Sequence, residues 1–439
     1  MNELLPVLFF LVVLVMLLMG YPVSFTLGGV SVIFGVIIFG FDFFNLLPLR
    51  IWGVMSNYVL IAVPLFIFMG VMLERSGIAE ELLETMALLF GKMNGGLAIS
   101  VLLVGALLGA STGIVGATVV TMGVLSLPVM LKRKYSPEAS TGIIMASGTL
   151  GQIIPPSIIL VLLGSVMNIS VGDLFVGAVI PGILLVLLYL LWIVFKSRLS
   201  PNSMPAMPDN EVTKFKEKGM ASRVFKAFLL PGILIIAVLG SIFAGIASPT
   251  EAAGVGALGA TVLTLVRRKF SMPVLRQVMR RTTSITSMVF LILVGASAFS
   301  LVFRGMHGDR YLTEMIVHSN LEPHIFLAIV MVVIFILGFF IDFIEITFIV
   351  IPVITPIFEH LGINLIWIGI LIAMNLQTSF LTPPFGFALF YLKGVAPPEI
   401  KTAQLYQGII PYVVIQLVCV LTIVIFPDLA LWLPSALGK

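Results

Sequence analysis

Residues 147–157 read Ser-Gly-Thr-Leu-Gly-Gln-Ile-Ile-Pro-Pro-Ser and are flanked on both sides by long apolar runs. Proline lacks the N–H a helix needs, and its ring clashes with the preceding turn. In hydrocarbon each unpaired backbone group costs several kcal/mol, so a broken helix persists only where protein or a cavity supplies partners. A membrane segment that breaks here must offer its carbonyls to something polar. The device returns at 375–384, Asn-Leu-Gln-Thr-Ser-Phe-Leu-Thr-Pro-Pro. Paired breaks in the two halves of a membrane chain point to a transporter's binding site.

The spacing ties the two stretches together. Pro155 and Pro383, Pro156 and Pro384, and Pro128 and Pro356 are each 228 residues apart. Pro22 and Pro249 differ by 227, and Pro181 and Pro411 by 230. Five proline pairs at nearly one offset indicate an internal duplication of about half the chain. The composition suits a membrane: 60% of residues are hydrophobic and 10% charged, against roughly 25% charged in soluble domains. The single Cys419 excludes an internal disulfide and argues against a transition-metal site. The net charge of +4 calls for no nucleic-acid partner, because the distribution of basic residues across a membrane accounts for most of it.

The sequence predicts an all-α polytopic membrane protein surrounded by membrane lipid. Leu4–Met19 reads as a retained span, since Met-Asn-Glu is not a basic signal-peptide start. Val23–Gly40 returns, 41–57 lies at an interface, and Tyr58–Leu73 spans again. Ile78–Phe90 is amphipathic, with Glu80, Glu81 and Glu84 opposite Leu82, Leu83, Met86 and Leu89. Gly95–Leu131 has 37 residues, nearly twice a span of roughly 20. With a small, polar centre at Gly109–Gly116 it reads as a re-entrant hairpin of two half-length helices; two ordinary spans with a tight turn are the alternative. The broken helix Pro137–Met167 and a span at Asp173–Phe195 follow. A polar linker, 196–226, joins the halves. The second half repeats the plan: spans at Phe228–Ala244 and Pro249–Val266, a basic link 267–281, a span at Ser284–Phe303 and an amphipathic stretch at Asp309–His318. The hairpin Ile325–Phe358 has its tip at Gly338–Glu345. The broken helix Leu365–Leu392 and a last span at Gln407–Leu429 close the chain. Threading this path puts 20 of the 24 Lys and Arg on one side. That side is predicted to be cytoplasmic, with both termini periplasmic. The hairpins then open to opposite sides, so the repeats are inverted.

Gly109–Thr118 with Gly148–Ser157, Ser248-Pro-Thr-Glu-Ala252, Gly338–Asp342 and Leu381-Thr-Pro-Pro-Phe385, in this order, give the chain a resemblance. It resembles the large membrane subunit of the tripartite ATP-independent periplasmic (TRAP) transporters, within the ion-transporter superfamily, over essentially its whole length. The resemblance implies an elevator-type transporter of the bacterial inner membrane, with a fixed scaffold and a mobile domain of two hairpins and two broken helices. It implies Na⁺ as coupling ion, a small membrane subunit, a periplasmic substrate-binding protein and an organic-anion substrate, carboxylate or sulfonate. Glu345 departs from the small or neutral residue the family suggests.

On this plan, 1–92 are scaffold and arm helix, 93–170 half of the transport domain, and 171–226 a scaffold helix and linker. Residues 227–322 are again scaffold and arm, 323–397 the second transport half, and 398–439 a C-terminal arm and scaffold helix. Na⁺ is a hard cation that takes oxygen ligands, and broken helices supply carbonyls and a partly negative half-helix C-terminus. The first sodium site is expected from Ser111, Thr112 and Gly113 against Gly151, Ile154 and Pro155. By the resemblance, the second uses Gly338 with Ser379, Thr382 and Phe385. Several of these would act through backbone oxygen, and ordinary interhelical bonding is the plain alternative for each hydroxyl. Thr149, Gln152, Asp342, Glu345 and Gln377 are candidates for the substrate and ion pathway. Carboxylates at membrane depth are costly and functional by default. Asp342 and Glu345, three apart on one helix face, either meet ion charge or cap hairpin N–H groups.

No Gly-x-x-x-x-Gly-Lys-Ser/Thr loop occurs in the chain, so the membrane potential and ion gradient are the expected drive. One charge crossing 100 mV gains about 2.3 kcal/mol. A stand-alone ion-coupled anion transporter, needing no binding protein, is the alternative. An enzyme is not expected: His307, His318, His324 and His360 all fall on the outer side, without a His-Glu-x-x-His or Gly-x-Ser-x-Gly motif.

Overall fold

The structure, a computed structural model, describes residues 4–208, 220–318 and 322–438. Its described residues form helices and turns, without strands. In chain order the helices are α1 (Leu5–Leu18), α2 (Val23–Phe39), α3 (Leu47–Met55), α4 (Ala62–Arg75), α5 (Ile78–Leu89), α6 (Gly96–Thr112) and α7 (Val115–Lys132). They continue with α8 (Pro137–Thr149), α9 (Ile158–Met167), α10 (Val171–Leu199), α11 (Met220–Phe243), α12 (Pro249–Val266), α13 (Met272–Gly305) and α14 (Gly308–His318). The last are α15 (Pro323–Leu337), α16 (Phe343–Ile349), α17 (Ile351–His360), α18 (Leu365–Leu381), α19 (Phe387–Val395), α20 (Thr402–Ile425) and α21 (Asp428–Ala436). Six helical stretches among the described residues are long and apolar enough to cross a membrane, seven if α16 and α17 count as one bent span. Large apolar side chains face outward: Ile37 is 78% exposed and Leu191 65%, as a lipid-facing surface requires.

Two packed groups emerge. In the first, α4 lies against α12 and α13, and α13 against α2 and α3. Phe9 stacks on Phe299 at 5.1 Å between ring centroids, and Phe299 on Phe303 at 5.6 Å. In the second, α8 is wrapped by α6, α7 and α20, α19 lies along α7, and α18 packs on α15 and α20. Small residues permit these approaches, since lipid supplies no hydrophobic drive between helices and van der Waals packing must. A Cβ at Gly142 would sit 2.1 Å from Gly408 O, and one at Gly151 2.2 Å from Gly109 O.

Several expectations are corrected. The arms of the first hairpin are not half-length: α6 has 17 residues and α7 18, about 25 Å each at 1.5 Å per residue. Nothing in Gly96–Thr112 breaks a helix, and its glycines are there for close packing. The second hairpin bends by 53° between α16 and α17, where Pro352 removes an N–H from the ladder. The basic link does not end before residue 284, because Ser271 caps a continuous 34-residue helix, α13, that carries Arg276, Arg280 and Arg281. The final span ends at Ile425 and a further helix, α21, follows it. Residues 171–199 and 402–425 pack on the broken helices: α10 lies against α9, α18 and α21, and α20 against α8 and α18. Of the linker, 209–219 lie outside the described residues. Its start docks on the first hairpin, with Met204 O accepting from Gly95 N at 2.9 Å and Ser203 O from Ser136 N at 2.9 Å.

These contacts are backbone on backbone and have no slack. Gly151→Ala should therefore destabilise the protein by about 1–3 kcal/mol, read as a lowered melting temperature in detergent. Gly254→Ala, with nothing within 4 Å of the added carbon, should be neutral or slightly stabilising.

Candidate functional site

The first break starts where α8 tightens into a 3-10 turn at Leu150–Gln152. The Pro155–Pro156 peptide is cis, as is Pro383–Pro384 in the second break. Ser157 Oγ closes the first gap by donating to Gln152 O at 2.6 Å. The Gln152 side chain is buried, and neither of its amide atoms has a partner among the described residues. In the second break, Tyr406 OH donates to Pro384 O at 3.1 Å, and Asn375 Nδ2 ties α18 to hairpin arm α15 through Met331 O at 2.7 Å. Gln377 Nε2 reaches Thr149 Oγ1 at 3.5 Å across 228 residues. The 228-residue offset that relates the two Pro-Pro pairs thus brings Thr149 and Gln377 together within the second group.

Each break faces a hairpin tip. At the first, Gly113 ends α6 with φ +61°, a conformation that favours glycine. Its α-carbon side abuts Ile158, the first residue after the break. Ser111 Oγ donates to Leu108 O at 2.8 Å, and Thr112 Oγ1 pairs with Thr118 Oγ1 at 2.8 Å. Ser111, Thr112 and Gly113 thus form the tip, while Gly151 packs on Gly109 within α6. The side chains of Ile154 and Pro155 turn the other way, into an apolar cavity against α10. At the second tip, Gly338 abuts Ser379, where an added Cβ would lie 2.1 Å from Ser379 Oγ. Ser379 Oγ donates to Leu376 O at 2.8 Å and Thr382 Oγ1 to Thr378 O at 2.7 Å. Phe385 packs on Phe340 of the tip in a tilted geometry, 5.2 Å between ring centroids. Asp342 and Glu345 form a capping box at the start of α16: Asp342 Oδ1 accepts from Phe343 N at 2.7 Å, and Glu345 Oε2 from Asp342 N at 3.2 Å. Of the two roles open to this pair, the structure displays capping.

Between the tips and the first group lies a cavity of about 460 Å³. Its walls come from the first tip, from Asp342, Phe343 and Ile344 of the second, from Tyr391 on α19, and from α13. Arg281 and Ser284 bring polar groups from the α13 wall. Gly70 on α4 supports the first tip directly; a Cβ there would sit 2.3 Å from Thr112 Cα.

The DctM component of the tripartite ATP-independent periplasmic transporters matches residues 10–429. A C4-dicarboxylate TRAP transporter large permease protein of Pseudomonas aeruginosa is 30% identical, covering 93% of this chain and 94% of that one. The chain belongs to this transporter family. The sialic acid TRAP large permease of Vibrio cholerae is 28% identical, with 96% of both chains covered, and the ectoine TRAP large permease of Halomonas elongata 28%, with 95% of this chain and 96% of that one covered. The fold is similar to that of the YdaH transporter of Alcanivorax borkumensis, at a TM-score of 0.61 and 15% identity, with 100% of this chain and 98% of that one covered. This DctM-family chain is therefore a transporter permease subunit rather than an enzyme, a multi-pass protein of the bacterial inner membrane. A tripartite system implies further components.

Gly70, Arg281 and Tyr391 were invisible as site residues in the sequence. Arg281 hides in a cluster of basic residues, although Arg281, Ser284 and Met288 recur at helical spacing on one face of α13. The motif Ser248–Ala252 stands apart from both breaks: Ser248 and Glu251 form a capping box opening α12, with Ser248 N donating to Glu251 Oε2 at 2.8 Å. For Asp342 the capping geometry sets a test. Asp342→Asn should keep the stability of α16, because Asn caps as well as Asp, whereas Asp342→Ala should cost about 1 kcal/mol, read by thermal unfolding.

Proposed function

We propose that this DctM-family subunit carries an organic anion inward together with Na⁺, in an elevator motion, taking its substrate from a periplasmic binding protein and working beside a small membrane subunit. The observation that carries the reading is the pairing of two helix breaks, 228 residues apart, with two hairpin tips next to a polar-ended cavity. Each break leaves carbonyls and the C-terminal end of a half helix at one place, the setting that suits a bare cation. One ion belongs between Ser111, Thr112 and Gly113 and the backbone of Gly151, Ile154 and Pro155. The other belongs between Gly338 and the stretch Ser379, Thr382 and Phe385. Ser379 and Thr382 spend their hydroxyl protons on their own helix, which leaves oxygen lone pairs for an ion. Ile154, Pro155 and Phe385 contribute backbone oxygen only. Thr149, Gln152 and Gln377 form the polar ground between the two ions. The anion sits in the cavity under the tips, and the size of that cavity suits a small organic acid. The named relatives of this chain carry C4-dicarboxylate, sialic acid and ectoine.

For the motion, α6–α10 and α15–α21 form the moving body and α1–α4 with α11–α13 the scaffold. Arms α5 and α14 connect them, opening both hairpins as re-entrant elements from opposite sides. The polar ties across this boundary are few and side-chain based: Asn57 Nδ2 to Ser165 Oγ at 3.1 Å and Thr121 Oγ1 to Glu74 Oε1 at 3.0 Å. Arm α5 is held to the scaffold by the Arg267–Glu81 ion pair. The basic side of the chain is cytoplasmic, and both termini are periplasmic.

In proteoliposomes containing the full complex, uptake should vanish when external Na⁺ is replaced by choline. Undiminished uptake under a proton gradient alone would reject the sodium reading. Ser379→Ala and Thr382→Ala should each raise the Na⁺ concentration for half-maximal uptake several-fold while leaving the complex assembled.

A further inference from the structure

The cavity beneath the tips carries two opposite charges that do not meet. Arg281 enters from α13 and is exposed; Asp342 enters from the second tip and is half-buried. Among the described residues neither takes part in an ion pair with the other. Among the described residues they are the only charged side chains lining the cavity. The Tyr391 hydroxyl and Ser284 add neutral donors, and the remaining walls are apolar, from residues such as Ile114 and Met288. Asp342 accepts from the Phe343 N–H and from the N3 backbone of α16, and since a carboxylate offers about four acceptor sites, lone pairs remain for a ligand.

Resting on the sodium-coupled anion reading above, we infer that this site selects a monocarboxylate that also bears a hydrogen-bond donor, a hydroxyl or ammonium group, at its far end. Arg281 takes the carboxylate through its planar fork, a geometry lysine does not reproduce. Asp342 and Tyr391 take the donor end. A dicarboxylate placed in the same cavity has one cation for two charges, and its second carboxylate faces Asp342. In a site whose other walls are apolar, that juxtaposition disfavours the dicarboxylate through repulsion of the wrong ligand rather than attraction of the right one. The resulting preference differs from that named for the 30%-identical relative, which is a C4-dicarboxylate permease. The scaffold arginine leaves the substrate when the moving body slides away, so Arg281 governs affinity in one conformation only.

The test uses the membrane complex purified in Na⁺, with thermal stabilisation by gluconate, succinate and erythritol at equal millimolar concentrations. Gluconate should stabilise, succinate and erythritol much less. Arg281→Gln should weaken the gluconate effect by about tenfold or more, and Arg281→Lys should recover part of it. Asp342→Asn keeps the cap and should bring succinate closer to gluconate. The inference is overturned if succinate matches gluconate in the unmodified complex, if no probe stabilises it, or if Arg281→Gln binds gluconate unchanged. Stabilisation by Na⁺ over choline without any anion is measured alongside. Its presence with the wrong anion preference removes this inference alone; its absence removes the sodium reading beneath it.

Discussion

A peptide carbonyl without a partner is not tolerated in hydrocarbon, and much of this architecture follows from two places where the chain breaks its helix at membrane depth. Around each break the structure assembles substitutes. Ser157 donates to the Gln152 carbonyl freed by Pro156, and Tyr406 donates to the carbonyl of Pro384 in the second break. The hairpin tips come in close enough to cover what remains, and they can do so only because glycine stands at the crossings. Gly109 meets Gly151 in the first half and Gly338 meets Ser379 in the second. The small residues of the hairpins are thus a consequence of the breaks they face, and polar atoms of Gln152 and Gln377 remain without a protein partner among the described residues.

The rest of the molecule divides by how its surfaces are built. Within each packed group the approaches are backbone to backbone, as at Gly142 and Gly408 or Gly295 and Ser24. Such contacts resist any relative movement. Across the boundary the polar ties are single side-chain bonds, and the closest approach is Gly70 beneath the first tip. That approach is backbone to backbone as well, and bulk at Gly70 would meet the backbone of Ser111 and Thr112. The linker start docks on the first hairpin through Met204 and Ser203, a contact within the first half at the face expected to be cytoplasmic.

Elements announced by a helix breaker were legible in the sequence. The paired prolines 228 residues apart located both breaks and, with Gly113 and Gly338, both tips; the Thr149–Gln377 contact falls on the same offset. Features set by tertiary packing were not legible. Nothing in the hydropathy of 171–199 or 402–425 tells which group those helices join; that is decided by complementary small residues such as Gly408 on the partner surface. The length of α13 was missed because its first ten residues are rich in arginine, which reads as a loop in a hydropathy scan although arginine is a good helix former. That same misreading concealed Arg281. Asp342 and Glu345 stood out as costly charges, and the capping box explains the spacing of three without exhausting their roles.

Two bodies sliding past one another is the central claim, and distances report it most directly. With Cys419 replaced, spin labels at the exposed positions Val129 and Leu258 span the boundary, whereas labels at Val129 and Ile410 lie within the proposed moving body. Pulsed electron resonance in lipid, with Na⁺ or with choline, should give two populations for the first pair whose ratio shifts with the ion, and one unchanged distance for the second. A single fixed distance across the boundary under every condition, or a shift within the moving body of the same size, would contradict it.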